Sequence, residues 1–436
     1  MSSLLFKQLK DIKEIGFQEF LKKIKLFIKN VLTYEFLLNR LIFFIPGIFI
    51  ITFLILVRPI ILIRLGVLHR RFGHFIGNIE LYLLEKQNNI NTPKSKHIDL
   101  WVMPNQIPNS YMAIIIRRHL KIININPKLI LEAKHIINFF YGKSPFFIGD
   151  NTQQDRDVNN LLYKSKTILA LNEKEISEGE RILTKYGIKK DEKIVCMINR
   201  DDLYLKKKYP EHPFLSSQSF RDSNIKNYIK SAEFLAEKGF YVFRMGSIVK
   251  DPLKSKNKKI IDYATNGMRT EFLDIYLAFR CVFSIVTSTG WDALPVIFRK
   301  PIVYVNSAPI GIIATFTPDN IHIFKHHKKY NKKNYLNFKE IENHGVMYSL
   351  ENSDYADRNI ELVENSEAEI LDAVEEMYFK LYKPDYYKFH ITLNQSDIWS
   401  QFPKYAIHKY NNQKFHGKIL SKFPDKFIKN NTYLCG

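Results

Sequence analysis

Short apolar runs alternate with helical patterns through the second half of the chain. Strands are predicted at Lys193–Asn199, Tyr241–Met245, Lys259–Asp262, Cys281–Val286 and Pro301–Val305. Helices are predicted among them at Ser223–Lys238, Thr270–Arg280 and Trp291–Phe298. Because buried strands that alternate with helices are typical of βαβ units, the chain is predicted to be an α/β protein with a parallel, doubly wound sheet.

The region before residue 188 carries a weaker version of the same pattern. Pro59–Arg64 predicts a strand, and a loop with Gly73 follows it and leads into a helix that ends near Glu85. His97–Met103 predicts another strand. Glu173–Tyr186 predicts an amphipathic helix, which the glycine at 187 ends. This half is therefore also predicted to be Rossmann-like.

Four segments result from this pattern. Residues 58–187 and 188–365 are predicted to be two facing Rossmann-like domains, and a ligand is expected in the cleft between them. Residues 366–436 contain a helix, Glu367–Leu381, and are expected to return to the first domain. Residues 1–57 have a different character.

The first 57 residues are basic and then apolar. Residues 1–40 have apolar side chains at helical spacing and many lysines, and Leu41–Val57 is uncharged but contains Pro46 and Gly47. A bilayer-spanning helix needs about 20 apolar residues, so a span is the less favoured interpretation. An interfacial or re-entrant anchor, with the basic helix on an anionic membrane surface, is expected instead. A helical hairpin buried against the domain is the alternative.

Composition narrows the function classes only partly. The 436 residues are 46% hydrophobic, which allows a large core, and lysine and arginine exceed acidic residues for a net charge of +21. Such a charge suits nucleic acid, anionic lipid or anionic substrates. No helix-turn-helix, RNA-binding or zinc pattern is present, so nucleic acid is not expected as a partner. The three cysteines form no disulfide or zinc spacing, which favours a reducing compartment.

Two predicted strands end in residues suited to phosphate. Arg200 and Asp201 follow the first, and Ser288, Thr289 and Gly290 follow Cys281–Val286. Ligands of open α/β sheets bind just outside the carboxyl ends of the strands. An arginine can hold two phosphate oxygens, and backbone N–H groups before a helix add to this. The pair predicts a site for a phosphorylated ligand, although an Arg–Asp ion pair and ordinary helix capping remain the alternatives.

Several further segments make the chain resemble a family of bacterial glycosyltransferases associated with surface-carbohydrate gene clusters. The resemblance extends over roughly residues 55–435. The segments that carry it are residues 71–78, Arg200-Asp201, Phe220–Ser223, Arg244–Gly246, Asp262–Ala264, Phe272–Ile275, Thr287–Gly290 and Pro301–Asn306. A looser similarity is to fucosyltransferases of the two-domain GT-B fold, whose His-x-Arg-Arg-x-Asp motif is here reduced to Asn199-Arg200-Asp201. The resemblance implies GT-B architecture, with an acceptor domain at 58–187 and a nucleotide-sugar domain at 188–365.

The resemblance implies roles for the strand-end residues. Arg200 is expected to stabilise the leaving pyrophosphate, and His74 to take the proton of the acceptor hydroxyl, since histidine titrates near neutral pH. Donor binding is expected of Arg200, Asp201, Arg221, Arg244, Gly246, Asp262, Ser288, Thr289 and Gly290. Acceptor-side contacts are expected of Arg71, Gly73 and Asn78. For His74 a structural role is the alternative, and for Arg221 and Arg244 structural salt bridges are an equal alternative.

Neither a metal nor a cofactor is expected, because no Asp-x-Asp pair follows a strand in a suitable context. His326 and His327 lie in the basic run Lys325–Lys333, which predicts a solvated surface loop rather than a metal site. In a GT-B enzyme, cations and helix dipoles would take the metal's role.

The function expected is transfer of a sugar from a nucleotide-sugar donor to a cell-surface polysaccharide or lipid-linked glycan, at the cytoplasmic face of the inner membrane. A nucleotide-sugar epimerase or hydrolase of the same fold is the alternative within enzymes. A non-catalytic polyanion-binding protein is the alternative outside them. The donor, the acceptor, the stereochemistry and the oligomeric state stay open.

Overall fold

A computed structural model describes most of the chain after residue 33. The described residues are 34–141, 144–149, 156–208, 210, 218–390, 395–402, 405–408, 411–414 and 416–435. The basic segment predicted at 1–40 therefore lies almost wholly outside the described residues. Within the part that is described, no helix combines the length and the apolar character needed to cross a bilayer.

The first half of the chain forms a three-stranded parallel sheet between two helical layers. Its elements are α1 Tyr34–Val57, β1 Leu62–Val67, α2 Phe72–Gln87, β2 His97–Val102, α3 Ser110–Arg117, β3 Ile122–Ile123, α4 Pro127–Tyr141, α5 Leu161–Lys164 and α6 Glu173–Lys185. The strand order is β1-β2-β3, and β1 pairs with β2 from Leu62 opposite His97. Helices α1 and α4 cover one face of this sheet, and α2 and α3 lie on the other.

The second half forms a six-stranded parallel sheet. Its elements are β4 Ile194–Ile198, α7 Leu203–Lys208, α8 Ile229–Glu237, β5 Tyr241–Arg244, β6 Ile260–Ile261, α9 Glu271–Arg280, β7 Phe283–Val286, α10 Ala293–Ile297, β8 Ile302–Ser307 and β9 Ile321–Phe324. The order is β6-β5-β4-β7-β8-β9. Strands β5 and β6 lie on one side of β4, and after β6 the chain crosses to the other side, where β7, β8 and β9 follow. Counted from β4, this is the 3-2-1-4-5-6 order of the Rossmann fold. The predicted parallel, doubly wound α/β architecture is confirmed.

The rest of the chain packs around this second sheet. Its elements are β10 His326–Lys329, α11 Phe338–Asn343, α12 Asn352–Ala356, β11 Ile360–Val363, α13 Glu367–Tyr382, α14 Pro384–His390, α15 Gln395–Ser400, β12 Tyr405–His408, β13 Asn411–Lys414 and α16 Asp425–Asn430. Helix α13 buries Ile370, Val374 and Met377 against α8 and β9. The structure thus differs from the expectation that this helix returns to the first domain, because its apolar stripe matches the open face of the second sheet.

A second difference concerns the basic run at Lys325–Lys333. Lys325, His326 and His327 are buried, and β10 pairs in antiparallel fashion with β11. His326 contacts Glu369 at 2.9 Å and stacks on the ring of Tyr335. The prediction of a solvated loop is wrong for residues 325–329, because neighbouring aromatic and acidic side chains compensate these polar residues inside the fold, whereas residues 330–333 form an exposed turn as predicted.

The two halves of the chain pack against each other and share one apolar cluster. Helix α2 packs on α10, and α3 packs on α9. Phe75 and Met112 from the first half are in the same buried cluster as Leu277 and Leu294 from the second. This contact holds the loop before α2 against the carboxyl edge of the second sheet.

Candidate functional site

The strand ends singled out in the sequence lie side by side at the switch point of the second sheet. Strands β4 and β7 are neighbours, and Ile198 is paired with Val286. Arg200 follows β4 by two residues, and Thr287 through Gly290 directly follow β7. The order of the sheet reverses between these two strands, and a crevice for a ligand forms at such a point.

Arg200 is held beneath this edge by two short hydrogen bonds. Its Nη1 atom donates to the carbonyl oxygen of Gln218 and to Oδ1 of Asp222, both at 2.6 Å. The side chain is only 8% exposed. Burial lowers the pKa of Arg200, the carboxylates of residues 222, 202 and 201 oppose that shift, and the charge of Arg71 adds to it. The guanidinium is fixed in place and belongs to a field of several charges.

Arg221 is the second buried cation of the site. It ends a 3₁₀ turn, Ser219–Arg221, and its Nη2 atom donates to the carbonyl oxygen of Ser288. Its Nε atom is buried and has no hydrogen-bond partner among the described residues. Burial lowers the pKa of Arg221 to about 10, and the charges of Arg200 and Arg71 act in the same direction. Three arginines from two halves of the chain thus act on one another.

Asp222 and Lys325 complete the charged group, and sequence reasoning gave neither of them a role. Lys325 follows β9, is 4% exposed and donates to the carbonyl oxygen of Asp222. Burial raises the pKa of the Asp222 carboxyl to about 6 and outweighs the opposing attraction of Arg200. Burial also lowers the pKa of the Lys325 ammonium. The rule that functional residues follow strands would have found Lys325, had β9 been recognised.

The first turn of α2 touches the loop after β7 through two glycines, Gly73 and Gly290. A Cβ atom on Gly73 would lie 3.0 Å from both the Cα and the carbonyl oxygen of Gly290, and one on Gly290 would lie 3.0 Å from the Gly73 nitrogen. Only residues without a side chain allow backbones to approach this closely. Arg71 is the N-cap of α2 and is thereby placed beside the second sheet.

His74 and Asn78 also lie in α2, whereas the sequence predicted a loop around Gly73. His74 is in the first turn, and its ring packs on that of His69 with centroids 4.7 Å apart. The His69 Nδ1 atom accepts a hydrogen bond from the backbone of Arg71 at 2.9 Å. Asn78 lies one turn further on, and its buried Oδ1 atom has no hydrogen-bond partner among the described residues. His74 is the residue after Gly73, and Asn78 is the residue after Gly77.

Four predicted donor-binding residues at the ends of β4, β5 and β6, namely Asp201, Arg244, Gly246 and Asp262, form a separate structural group. Arg244 is wholly buried, contacts Asp262 at 3.2 Å and donates to the carbonyl oxygen of Asp251 at 3.0 Å. Gly246 has φ of +148°, where a side chain would collide with that of Val249. Asp201 accepts hydrogen bonds from two backbone N–H groups, those of residues 203 and 250. The contacts of Arg244, Asp201 and Asp262 are internal ones that brace the loops around the site.

A buried hydroxyl network supports the site from below. The Tyr228 hydroxyl contacts both Ser223 Oγ and Thr287 Oγ1, and Asn306 donates to it at 3.3 Å. Thr287 and Asn306 come from the ends of β7 and β8, Tyr228 ends the 3₁₀ turn before α8, and Ser223 lies just before that turn. The network fixes the position of the Thr287 side chain, and hence the start of the loop that follows β7. In that loop the Oγ1 atom of Thr289 is buried and has no hydrogen-bond partner among the described residues.

The structure brings together seven of the predicted residues: Arg71, Gly73, Arg200, Arg221, Ser288, Thr289 and Gly290. Among the residues described, no group of three or more histidine, cysteine, aspartate or glutamate side chains is arranged to hold a metal ion. Chemically, the site offers fixed positive charge, a carboxyl that titrates near pH 6, and unpaired polar atoms.

Comparisons with known proteins give only distant likeness. No protein-family model and no curated protein matches the chain. Among solved structures, the chain is similar to a family 9 glycosyl transferase from Veillonella parvula, with 12% identity, 73% of this chain and 97% of that chain covered, and a TM-score of 0.40. It is also similar to E. coli ADP-heptose lipopolysaccharide heptosyltransferase II, with 13% identity, coverage of 57% and 86%, and a TM-score of 0.32.

A third similar structure is a dodecameric iron-containing heptosyltransferase, TibC, in complex with ADP-D-beta-D-heptose. Its identity to this chain is 10%, the coverage is 73% of this chain and 77% of that one, and the TM-score is 0.34. What these proteins bind and transfer belongs to them, and a function for the present chain has to come from its own site.

Proposed function

We propose that this chain is a glycosyltransferase that moves a sugar from a nucleotide-sugar donor to a cell-surface polysaccharide or a lipid-linked glycan. The observation that carries this is the cluster of Arg71, Arg200, Arg221 and Lys325 at the switch point of a sheet in Rossmann order. Sheets of this order bind nucleotides at that point. Buried arginines supply planar, doubly donating groups that match phosphate oxygens.

Three unpaired polar atoms support a ligand at the same place. Buried polar atoms in native proteins nearly always have a partner, so an unpaired one needs an explanation. The Nε atom of Arg221 and the hydroxyl of Thr289 are suited to donate to phosphate oxygens, and Oδ1 of Asn78 is suited to accept from a sugar hydroxyl. The two hydrogen-bond donors belong to the second half of the chain, and the hydrogen-bond acceptor belongs to α2. This agrees with a nucleotide-sugar and a glycan that meet between the two halves.

In the proposed reaction, an oxygen of the acceptor hydroxyl forms a bond to the anomeric carbon of the donor sugar. The bond from that carbon to the β-phosphate oxygen breaks, and the nucleoside diphosphate leaves with the electron pair. Arg200 and Arg221 stabilise the charge that grows on the pyrophosphate, a task that fixed cations in a dry site perform without reorganisation. His74 takes the hydroxyl proton. Neither a metal nor a cofactor takes part.

The finer points of the proposal are the architecture and the cellular location. The two sheets with the site between their loops make up a GT-B-type arrangement with a nucleotide-sugar half at residues 188–365. Because activated sugars are cytosolic in bacteria, we place the reaction at the cytoplasmic face of the inner membrane. The partial fucosyltransferase motif leaves guanosine-diphosphate-fucose as one donor among those to be tested.

A thermal-shift panel of nucleoside diphosphates and their sugars tests the donor site. A ligand at a hundred times its dissociation constant stabilises the native state by about 2.7 kcal/mol. At least one diphosphate should raise the unfolding temperature of the wild type, and of the Arg181→Ala variant, whose exposed arginine pairs with Glu178 on α6. If no diphosphate or nucleotide-sugar shifts the wild type, the proposed donor site does not exist.

The donor found in this way then separates transfer from the other activities. Mass spectrometry of reactions with and without a glycan acceptor should show a product one sugar heavier only when the acceptor is present. An isomerised donor would indicate an epimerase, and free sugar without an acceptor would indicate a hydrolase. Binding that depends steeply on salt, with no preference among nucleotides, would indicate a polyanion-binding protein.

A further inference from the structure

From Leu41 onwards helix α1 is apolar all round, but only one stripe of this part is buried. Leu41–Val57 contains no charged residue, and its polar side chains are limited to Thr52. Gly47, Ile51 and Leu54 face α4, where a Cβ on Gly47 would lie 3.1 Å from the side chain of Ile136. The helix therefore lies along the surface of the first half, against α4. A helix that is apolar on every side normally has an apolar environment on every side.

The remaining circumference of α1 is exposed. Phe49 and Leu56 are each 71% exposed, and Phe53 is 55% exposed. At about 100° per residue, the exposed positions from Phe44 through Ile48 and Leu56 round to Phe53 cover about half of the helix circumference. A packed partner helix covers a stripe of about 100°. The exposed arc is thus wider than one partner helix would bury. A lipid phase, in contrast, can contact the whole arc.

Helix α4 extends the same surface and adds positive charge. Phe139 and Phe140 near its end are 74% and 71% exposed. Lys128, Leu131 and His135 precede Phe139 on one side of the helix, at spacings of three to four residues. Arg58 follows directly after α1 and is exposed. Cations beside exposed aromatic and aliphatic side chains are the pattern of a surface that enters the boundary between lipid headgroups and acyl chains.

We infer that the exposed faces of α1 and α4 form one docking surface for an anionic lipid bilayer. Phe49, Phe53 and Leu56 of α1 and Phe139 and Phe140 of α4 enter the lipid, and Arg58 and Lys128 meet the headgroup phosphates. A second copy of the chain is a poorer occupant, because the exposed arc is too wide for one helix pair and cations flank it on both copies. The docking surface does not depend on sugar transfer, and it lies apart from the charged cluster at β4 and β7.

Vesicle flotation of the full chain tests this surface. The wild type should float with vesicles of phosphatidylcholine mixed with phosphatidylglycerol, and less with phosphatidylcholine alone. The double variant Phe49→Glu/Phe53→Glu should bind the anionic vesicles at least about tenfold more weakly, since each phenylalanine loses its place in lipid and each glutamate opposes insertion. The matched control, Tyr186→Glu/Tyr330→Glu, changes two exposed aromatic residues elsewhere and should float like the wild type.

Two results would overturn the inference. One is a double variant that floats as well as the wild type, which would place membrane binding elsewhere in the chain. The other is a wild type that ignores vesicles but elutes as a dimer that Phe49→Glu/Phe53→Glu splits, which would make the face a contact between copies. Equal thermal unfolding of both double variants checks that they are folded. Their nucleotide binding, measured in parallel, reports separately on the donor site.

Discussion

The contact between Gly73 and Gly290 is the narrowest point of the site, and it gives a sharp test with an internal control. A Cβ atom at Gly73 would be 3.0 Å from two backbone atoms of Gly290, which have no side-chain freedom with which to move away. Gly77 is one turn further along α2, and a Cβ there would meet only the Cβ of Ala293, at 3.9 Å, an ordinary contact distance. The same glycine-to-alanine change is therefore expected to have opposite effects at the two positions.

The magnitudes follow from packing and helix propensity. Overpacking by one methyl group costs about 1–3 kcal/mol. Alanine in place of glycine inside a helix gains about 0.5–1 kcal/mol. Gly77→Ala should raise the free energy of unfolding by the helix-propensity gain alone. Gly73→Ala should lower it by about 1 kcal/mol net and push Arg71 away from Arg200.

Thermal unfolding followed by circular dichroism, together with nucleotide titration, measures both effects. The midpoints should rank Gly77→Ala above the wild type and the wild type above Gly73→Ala, and only Gly73→Ala should weaken nucleotide binding. If Gly73→Ala is as stable as Gly77→Ala and binds nucleotide normally, the first turn of α2 is not in contact with the loop after β7, and the assembly of the site from two halves is wrong.

Three further predictions concern buried groups. Arg244→Met should lower the unfolding free energy by about 3–5 kcal/mol, because it leaves the buried carboxylate of Asp262 without its cation; the thermal midpoint measures the loss. Because burial raises the pKa of Asp222 to about 6, the native state keeps a proton that the unfolded chain has lost above about pH 4, so stability decreases as pH rises from 4 to 6. Asp222→Asn should remove that part of the decrease in midpoint over this range, and an unchanged pH profile would contradict the burial. Gly179→Ala should cost about 2 kcal/mol or more, because its Cβ would lie 2.2 Å from the ring of Tyr276; a wild-type midpoint would show that α6 does not pack there.

The second sheet was predictable because its strands are buried on both faces. Strand β4 is apolar at every position, and the residues after it change abruptly to Asn199, Arg200 and Asp201. That contrast marks both the strand and its functional end. Strand β9 has histidine at its second position, 0% exposed and stacked on Tyr304, which breaks the apolar run. Because of this break, the sequence does not reveal that Lys325 follows a strand, and its basic neighbours look like a solvent-exposed loop.

The contacts that the site residues make were harder to predict than their positions at strand ends. Arg200 and Arg244 look alike in the sequence, since each lies near the end of an apolar strand. Only the fold shows that Asp262 and the carbonyl of Asp251 occupy the guanidinium of Arg244. The role of Gly73 depends on a residue more than two hundred positions away, a relation that no local pattern carries. The raised pKa of Asp222, which directly follows a 3₁₀ turn, likewise depends on burial that only the fold shows.

The central claim is that Arg200 and its neighbours bind the diphosphate of a nucleotide-sugar. Calorimetric titration tests it most directly, with the nucleoside diphosphate that gives the largest thermal shift added to the wild type, Arg200→Ala and Arg181→Ala. The wild type and Arg181→Ala should show the same saturable one-to-one binding, and Arg200→Ala should bind at least tenfold more weakly, since a hydrogen bond to a charged group contributes about 1.5–3 kcal/mol. Equal affinity of folded Arg200→Ala and the wild type would contradict the claim.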